Sequence, residues 1–257
     1  MSIKPLVFVD LDDTLFQTHR KMLPKPQDQI ATLDKAGQPL SYMHPKQQHF
    51  VHWLIESAEV VPVTARSVEA LQRVQIQFQH GAICAHGGVI LRPDGQIDET
   101  YLQQRQHDLL YLQACMNALP AQLQDLAQPF GPIRTWVVQE HNLAIYVVAK
   151  QNQPASLFLS DLVDVLPDEI LKNFYIHQNG NNLAFIPHLI SKRRAVEYWL
   201  QHLTQETNER PILGWGDSIS DLGFLSCCDW FGLPKHSQIH QQLLIPHLAG
   251  ELVCQHS

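Results

Sequence analysis

Four apolar residues, Leu6-Val7-Phe8-Val9, run without a polar break into Asp10 near the start of the chain, and this run narrows the possible folds more than any other feature. An unbroken apolar stretch of that length suits a parallel strand buried on both faces, not the alternating pattern of a half-exposed strand. Asp10-Leu11-Asp12-Asp13-Thr14 follows directly. Three carboxylates within four positions at the end of a buried strand are costly without a cation or strong donors beside them. Many Asp-rich turns are simply helix caps. DxDxT immediately after an apolar strand is a narrower pattern.

The same rhythm continues. Residues 45–57 carry Phe50, Trp53 and Leu54, with Ala58 just beyond, on one helical stripe, and Val60-Val61-Pro62-Val63 is a second buried strand ending in Thr64. Residues 67–78 open on a capping Ser67 and place Val68, Leu71, Val74 and Phe78 at helical spacing, so a helix is expected there. Ala82-Ile83-Cys84-Ala85 reads as a third strand, closed by Gly87-Gly88. Strand and helix in alternation predict a Rossmann-like, doubly wound parallel sheet, an α/β core.

After residue 91 the pattern changes. A hairpin signal at Asp94-Gly95 precedes a helical region over about 101–127, then strand-like runs meet at His141-Asn142. A helix over 155–166 and a second hairpin across Gly180-Asn181 complete a helix-strand-strand unit made twice. That order predicts an antiparallel sheet with helices on one face, an inserted α+β cap over 92–187 within a core of 1–91 and 188–257. The first rhythm then resumes: a helix over 191–201 with Lys192 in its first turn, a strand 211–216 ending at Asp217, a short helix at 219–226, a strand at Trp230-Phe231, and a last helix from about 236.

Composition excludes several classes. Apolar residues at 45% and charged residues at 17% fit a folded globular chain. The net charge of −7 does not attract nucleic acid or anionic lipid. The longest apolar stretch, residues 143–149, is far short of the roughly 20 residues of a membrane span, and the first residues lack a signal-peptide shape. Five cysteines without CxxC spacing read as reduced thiols, so a cytoplasmic protein is expected.

Three candidate strands thus end in Asp10, Thr64 and Asp217, and in an open parallel sheet ligands bind in the crevice at the carboxyl ends of the strands. Val63-Thr64-Ala65-Arg66 alone is weak, since strand-end threonines commonly cap, and Lys192, followed by Arg193 and Arg194, alone is a surface charge. Gly214-Trp215-Gly216-Asp217-Ser218-Ile219-Ser220-Asp221 is stronger: carboxylates four apart after a glycine-rich strand end suit magnesium. Taken in order, the four clusters resemble the motif set of the haloacid dehalogenase superfamily of phosphohydrolases. The long insertion, and Ala85-His86-Gly87-Gly88-Val89-Ile90 at its approach, resemble the Cof-type and sucrose-phosphatase-like branch with a large α/β cap.

The resemblance implies a magnesium-dependent phosphatase. Asp10 would attack phosphorus and become the phospho-aspartate, and Asp12 would protonate the leaving alcohol and later activate water. Mg2+ would be held by Asp10, the backbone carbonyl of Asp12, and Asp217, with Asp221 orienting its water shell. Thr64 and Lys192 would bind the transferring phosphoryl oxygens, Thr14 would brace the first loop, and Arg66 would either touch substrate or brace a loop. Asp13 and Ala65 stand where the branch usually has Gly, and Ser220 where Asn is common.

The implied substrate is a small phosphorylated metabolite, such as a sugar phosphate, because a cap of this size would exclude polymers. Between residues 92 and 189, five basic residues face ten acidic ones, a net charge of −5 that disfavours nucleic acid. A sugar phosphomutase shares DxDxT but would need a cap richer in arginine. A non-catalytic phosphate-binding protein is the third reading, opposed by the intact Asp10, Asp12, Lys192 and Asp217. In the cap, Arg134, His141, Asn179 and Asn181 could touch substrate, although each also suits a turn or surface position.

Overall fold

The computed structural model describes residues 3–151, 158–204 and 209–245. The chain divides into two compact units, residues 1–97 with 192–257, and residues 98–191.

In the first unit, β1 (Leu6–Val9) is completely buried. Three short strands follow before any helix: β2 (Gln17–Thr18), β3 (Gln29–Leu33) and β4 (Pro39–Met43), forming an antiparallel sheet of order β2-β4-β3. Nothing in the hydrophobic pattern announces this flap, because its strands are short, mix polar with apolar residues and are interrupted by bulges. Helix α1 (Pro45–Ser57) starts with proline at its first position, and the Gln47 side chain accepts the His44 N–H at 2.9 Å. It buries Val51 and Leu54, whereas Trp53, expected on the buried stripe, is 52% exposed. Strand β5 (Glu59–Pro62) comes next.

The helix expected over 67–78 is confined to α2 (Val68–Leu71), capped by the Ser67 hydroxyl, which accepts from Ala70 N–H at 3.1 Å. Beyond it Val74 bridges Thr32 of the flap, so tertiary pairing overrides the helical spacing of Val74 and Phe78. Strands β6 (Ala82–Cys84) and β7 (Val89–Leu91) form an antiparallel hairpin. The hairpin touches the central sheet through the parallel bridge Val63–Ile83.

The second unit contains α3 (Glu99–Leu109), α4 (Gln113–Ala127), β8 (Ile133–Glu140), β9 (Leu143–Gln151), α5 (Phe158–Asp164), α6 (Asp168–Asn173), β10 (Phe174–Asn179) and β11 (Asn182–Pro187). Its four strands form an antiparallel sheet of order β10-β11-β9-β8. Met116, Leu119, Leu123 and Ala127 recur at helical spacing along α4, which packs this stripe on β8 and β9. His141 and Asn142 both adopt positive φ, the geometry of a tight two-residue hairpin turn.

Back in the first unit, α7 (Lys192–His202) leads to β12 (Ile212–Trp215), α8 (Leu222–Leu225) and β13 (Trp230–Gly232). The central sheet is parallel, of order β13-β12-β1-β5. Val9 pairs with Trp215 on one side and Pro62 on the other, so the residues after these strands emerge at one edge. Trp199 of α7 meets Phe8 edge-on at 6.4 Å. Where a helix is expected from about 236, a wide helical turn covers His240–Leu244, and residues beyond 245 lie outside the described residues. Among the described residues no helix is long and apolar enough to cross a membrane. Cys84, Cys115, Cys227 and Cys228 form no disulfide.

Gly81 shows how tightly the core is closed. Its φ is +85°, and an added Cβ would lie 2.3 Å from the Leu91 carbonyl oxygen and 2.6 Å from Trp199. Gly37 has a similar φ of +76° with nothing within 4 Å. Gly81→Ala is therefore expected to lose about 1–3 kcal/mol, more than Gly37→Ala, which carries only backbone strain. Urea denaturation of both variants checks this ordering.

Candidate active site

Main-chain hydrogen bonds align the strand ends. Asp10 N–H donates to the Trp215 carbonyl at 2.8 Å, and Val63 N–H to the Val9 carbonyl at 2.8 Å. Asp10, Thr64 and Asp217 therefore leave three adjacent strands, β1, β5 and β12, at the same sheet edge. In open parallel sheets ligands bind outside this edge.

At its centre the Lys192 ammonium donates to Asp10 Oδ1 at 2.5 Å and to Asp221 Oδ1 at 2.6 Å, and all three groups are buried. Lys192 begins a helix whose buried stripe of Ala195, Val196 and Trp199 fixes its rotation, so the side chain has one direction to go. Thr14 Oγ1 lies 3.3 Å from Asp10 Oδ2 and 3.4 Å from Asp217 Oδ1, linking two carboxylates from different strands.

Asp221 is saturated. Its Oδ2 accepts from Ser218 Oγ at 2.8 Å, Ser218 N–H at 3.0 Å and Asp217 N–H at 3.2 Å, while Oδ1 takes Lys192. Gly216 is required beside it, because a Cβ there would sit 2.7 Å from Asp221 Cβ. The Ser220 hydroxyl meets Ser218 Oγ at 2.8 Å, so the residue that departs from the branch's Asn ties into this loop by another route.

Carboxylate oxygens of Asp10, Asp217 and Asp221 lie within 4.8 Å of one another. Burial drives Asp10 well above the usual carboxylate range and Asp221 and Asp217 push the same way, against the pull of Lys192. Burial also raises Asp217, with help from Asp221 and Asp13, to about 7. Burial acts to lower Lys192, but Asp10 and Asp221 outweigh it and hold the ammonium charged. For Asp221, burial is outweighed by Lys192 and by the Ser218 donors, so its carboxylate is held below the usual range. Fully ionised, three carboxylates against one ammonium would leave two negative charges without a counter-charge inside the cluster, which is the repulsion that helps raise Asp10 and Asp217. A divalent cation with a preference for oxygen ligands fits that deficit, and Mg2+ is such a cation. With Asp221 saturated, Asp10 and Asp217 are the carboxylates with room for it.

Thr64 is buried; its Oγ1 accepts from Arg66 N–H at 3.1 Å, and its N–H donates to the Ile83 carbonyl at 2.9 Å. Asp12 carries its carboxylate apart from the Asp10–Asp217–Asp221 cluster and pairs with Arg66. Asp13 sits at φ +66°, the conformation glycine adopts freely, and its carboxylate pairs with Lys21 from the loop after β2. Lys21 escaped the sequence reading because the flap that carries it has no periodic signal. In the second unit Arg134 is exposed on β8, His141 is a turn residue, and Asn181 donates to the Gln151 carbonyl at 2.6 Å, bracing the β9–β11 edge. The Asn179 side chain lies outside the described residues.

The chain thus combines a parallel α/β core interrupted by an α+β unit with carboxylates and a buried lysine at one sheet edge. The fold is that of the haloacid dehalogenase-like hydrolases, as comparison with solved structures shows. The C-terminal domain of the C. albicans trehalose-6-phosphate phosphatase superposes with a TM-score of 0.57 at 14% identity, over 88% of this chain and 74% of that one. The sucrose-phosphatase from Synechocystis sp. PCC6803, solved with sucrose and phosphate, gives 0.55 at 16% identity over 97% and 98%. A haloacid dehalogenase-like hydrolase from Bacteroides thetaiotaomicron gives 0.53 at 11% identity over 90% and 94%. No family model and no curated protein matches the chain by sequence.

Two outcomes follow from this charge arrangement. Lys192→Met strands buried Asp10 and Asp221 without their cation, and a loss of about 3–5 kcal/mol is expected by urea denaturation at neutral pH. In metal-free protein, Asp217 rises from 3.8 unfolded to about 7 folded, so the folded chain holds a proton there that the unfolded chain has released. Stability should therefore fall as pH rises from about 4 to 7, and Asp217→Asn should flatten that slope in chelator-treated samples.

Proposed function

We propose that the chain is a Mg2+-dependent phosphatase that acts on a small phosphorylated metabolite through an aspartyl-phosphate intermediate on Asp10. The observation that carries this reading is the Lys192 ammonium lodged between Asp10 and Asp221, with Thr14 joining Asp10 to Asp217. A structural ion pair needs no third carboxylate; a phosphoryl-transfer site needs a nucleophile, a fixed cation and a metal position together.

Asp10 Oδ attacks phosphorus, and Asp12 serves as the proton donor and later as the base. Asp10, the Asp12 carbonyl and Asp217 would hold Mg2+, which when bound supplies the positive charge that a transferring phosphoryl group requires. Lys192 neutralises Asp10 and lies where phosphoryl oxygens arrive, and Asp221 fixes that ammonium. The Thr64 hydroxyl accepts from Arg66 N–H, which leaves its own proton to donate to a phosphoryl oxygen. Both the trehalose-6-phosphate and sucrose phosphatases share this fold, which favours a sugar phosphate as the substrate class.

The test is hydrolysis of p-nitrophenyl phosphate and a panel of sugar phosphates, with and without magnesium. Wild type is expected to turn over in a magnesium-dependent way, and Asp10→Asn to lose at least about 10³-fold in kcat. Turnover that survives Asp10→Asn, or none on any member of the panel, would overturn the reading.

A further inference from the structure

Arg66 makes two parallel hydrogen bonds to Asp12, Nε to Oδ2 and Nη2 to Oδ1, each at 2.7 Å. A bidentate guanidinium–carboxylate fork fixes both the position and the plane of the carboxylate, which a single bond cannot do. The fork is itself constrained. The guanidinium is 12% exposed and lies 5.5 Å from the ring centroid of the buried Phe16, and Nη1 reaches the Ala70 carbonyl at 3.5 Å. Its main chain is held at both ends: Arg66 N–H donates to Thr64 Oγ1 at 3.1 Å, and the Arg66 carbonyl accepts from Ala85 N–H at 2.7 Å. Ala85 and His86 both stand in the left-handed region, at φ 52° and 58°, to make that contact and a second one from His86 N–H to the Thr64 carbonyl at 3.1 Å. Two successive non-glycine residues there carry backbone strain that surrounding structure must hold in place.

We infer that Arg66 is the positioning residue for Asp12, and that the strained 85–87 turn sets Arg66 in place. This rests on the phosphatase reading and goes beyond it by assigning the group that aims the proton donor. In the first half-reaction an Asp10 oxygen bonds to phosphorus as the bond from phosphorus to the leaving oxygen breaks. The electron pair stays on the leaving oxygen, which takes the Asp12 proton. In the second, water attacks phosphorus, the Asp12 carboxylate takes a water proton, and the bond from Asp10 to phosphorus breaks to release phosphate. Negative charge thus appears on Asp12 in the first half-reaction, directly opposite a guanidinium already oriented to receive it. Each oxygen of the carboxylate keeps a lone pair outside the fork for the proton it exchanges.

The test uses leaving groups of graded need for a proton: 2,4-dinitrophenyl, p-nitrophenyl, phenyl and alkyl phosphates. It compares kcat/KM, which reports steps through departure of the leaving group, in wild type, Arg66→Ala, Arg66→Lys, Asp12→Asn and the double variant Arg66→Ala/Asp12→Asn. Arg66→Ala is expected to lose about 10²-fold or more on alkyl phosphates and less than about tenfold on the dinitrophenyl ester. Arg66→Lys should recover part of the loss, and Arg66→Ala should add little in the Asp12→Asn background. A loss equal across all leaving groups would overturn the inference, as would a full additional loss in the Asp12→Asn background or a gain on alkyl esters. If wild type and Asp10→Asn behave as the phosphatase reading expects, only the Arg66 assignment falls. Absence of wild-type turnover, or turnover that survives Asp10→Asn, overturns both.

Discussion

A buried ammonium between two buried carboxylates is the constraint around which the first unit is arranged. Lys192 reaches Asp10 at 2.5 Å and Asp221 at 2.6 Å from the start of α7, 182 and 29 residues away in the chain. Desolvating these charges costs several kcal/mol each, and the pairing offsets that cost only with short contacts and the remaining lone pairs satisfied. The surroundings meet that demand. Two N–H groups and one hydroxyl close around Asp221, Thr14 braces Asp10, and α7 is locked by Trp199 packing edge-on against Phe8 of β1. The same lysine thus joins core packing to the candidate chemistry.

The carboxylate cluster is left electrically incomplete, because the one ammonium of Lys192 cannot match Asp10, Asp217 and Asp221 together. An Asp217 carboxyl raised to about 7 and an Asp10 carboxyl raised by burial describe a cluster that favours an incoming cation. Cation binding there would reverse both shifts and favour the ionised forms of Asp10 and Asp217. Around this centre the supporting groups are main-chain donors on short turns, which reorganise little during reaction. Strain at Ala85 and His86, and the close approach at Gly216, lie at the rim of this centre.

The core and the site were legible from residues for specific reasons. Leu6–Val9 and Val60–Val63 are apolar without interruption and buried throughout, so their ends at Asp10 and Thr64 could be placed from pattern alone. The β2-β4-β3 flap left no such trace, since its strands are short and mix polar with apolar residues. Residues 67–78 had the spacing of a helix, yet most of the segment was taken by pairing with the flap through Val74 and Thr32. Trp53 shared a helical stripe with Leu54 and is exposed, because periodicity marks a face and not the width of what covers it.

Sequence by itself determined which groups stand at strand ends, Asp10, Thr64 and Asp217, and which groups follow them at fixed short spacing, Asp12, Thr14, Arg66 and Asp221. Local hydrophobicity and chain geometry are enough for that, because a strand's end and the two or four residues after it are set by the chain itself. Tertiary structure alone decided partnership. It gave Lys192 to Asp10 and Asp221, Arg66 to Asp12 over 54 residues, and Lys21 to the unexpected Asp13. A charge at a helix start or in a loop carries no sign of its partner. Its partner is selected by which strands lie side by side and by the cost of leaving any buried charge unmatched.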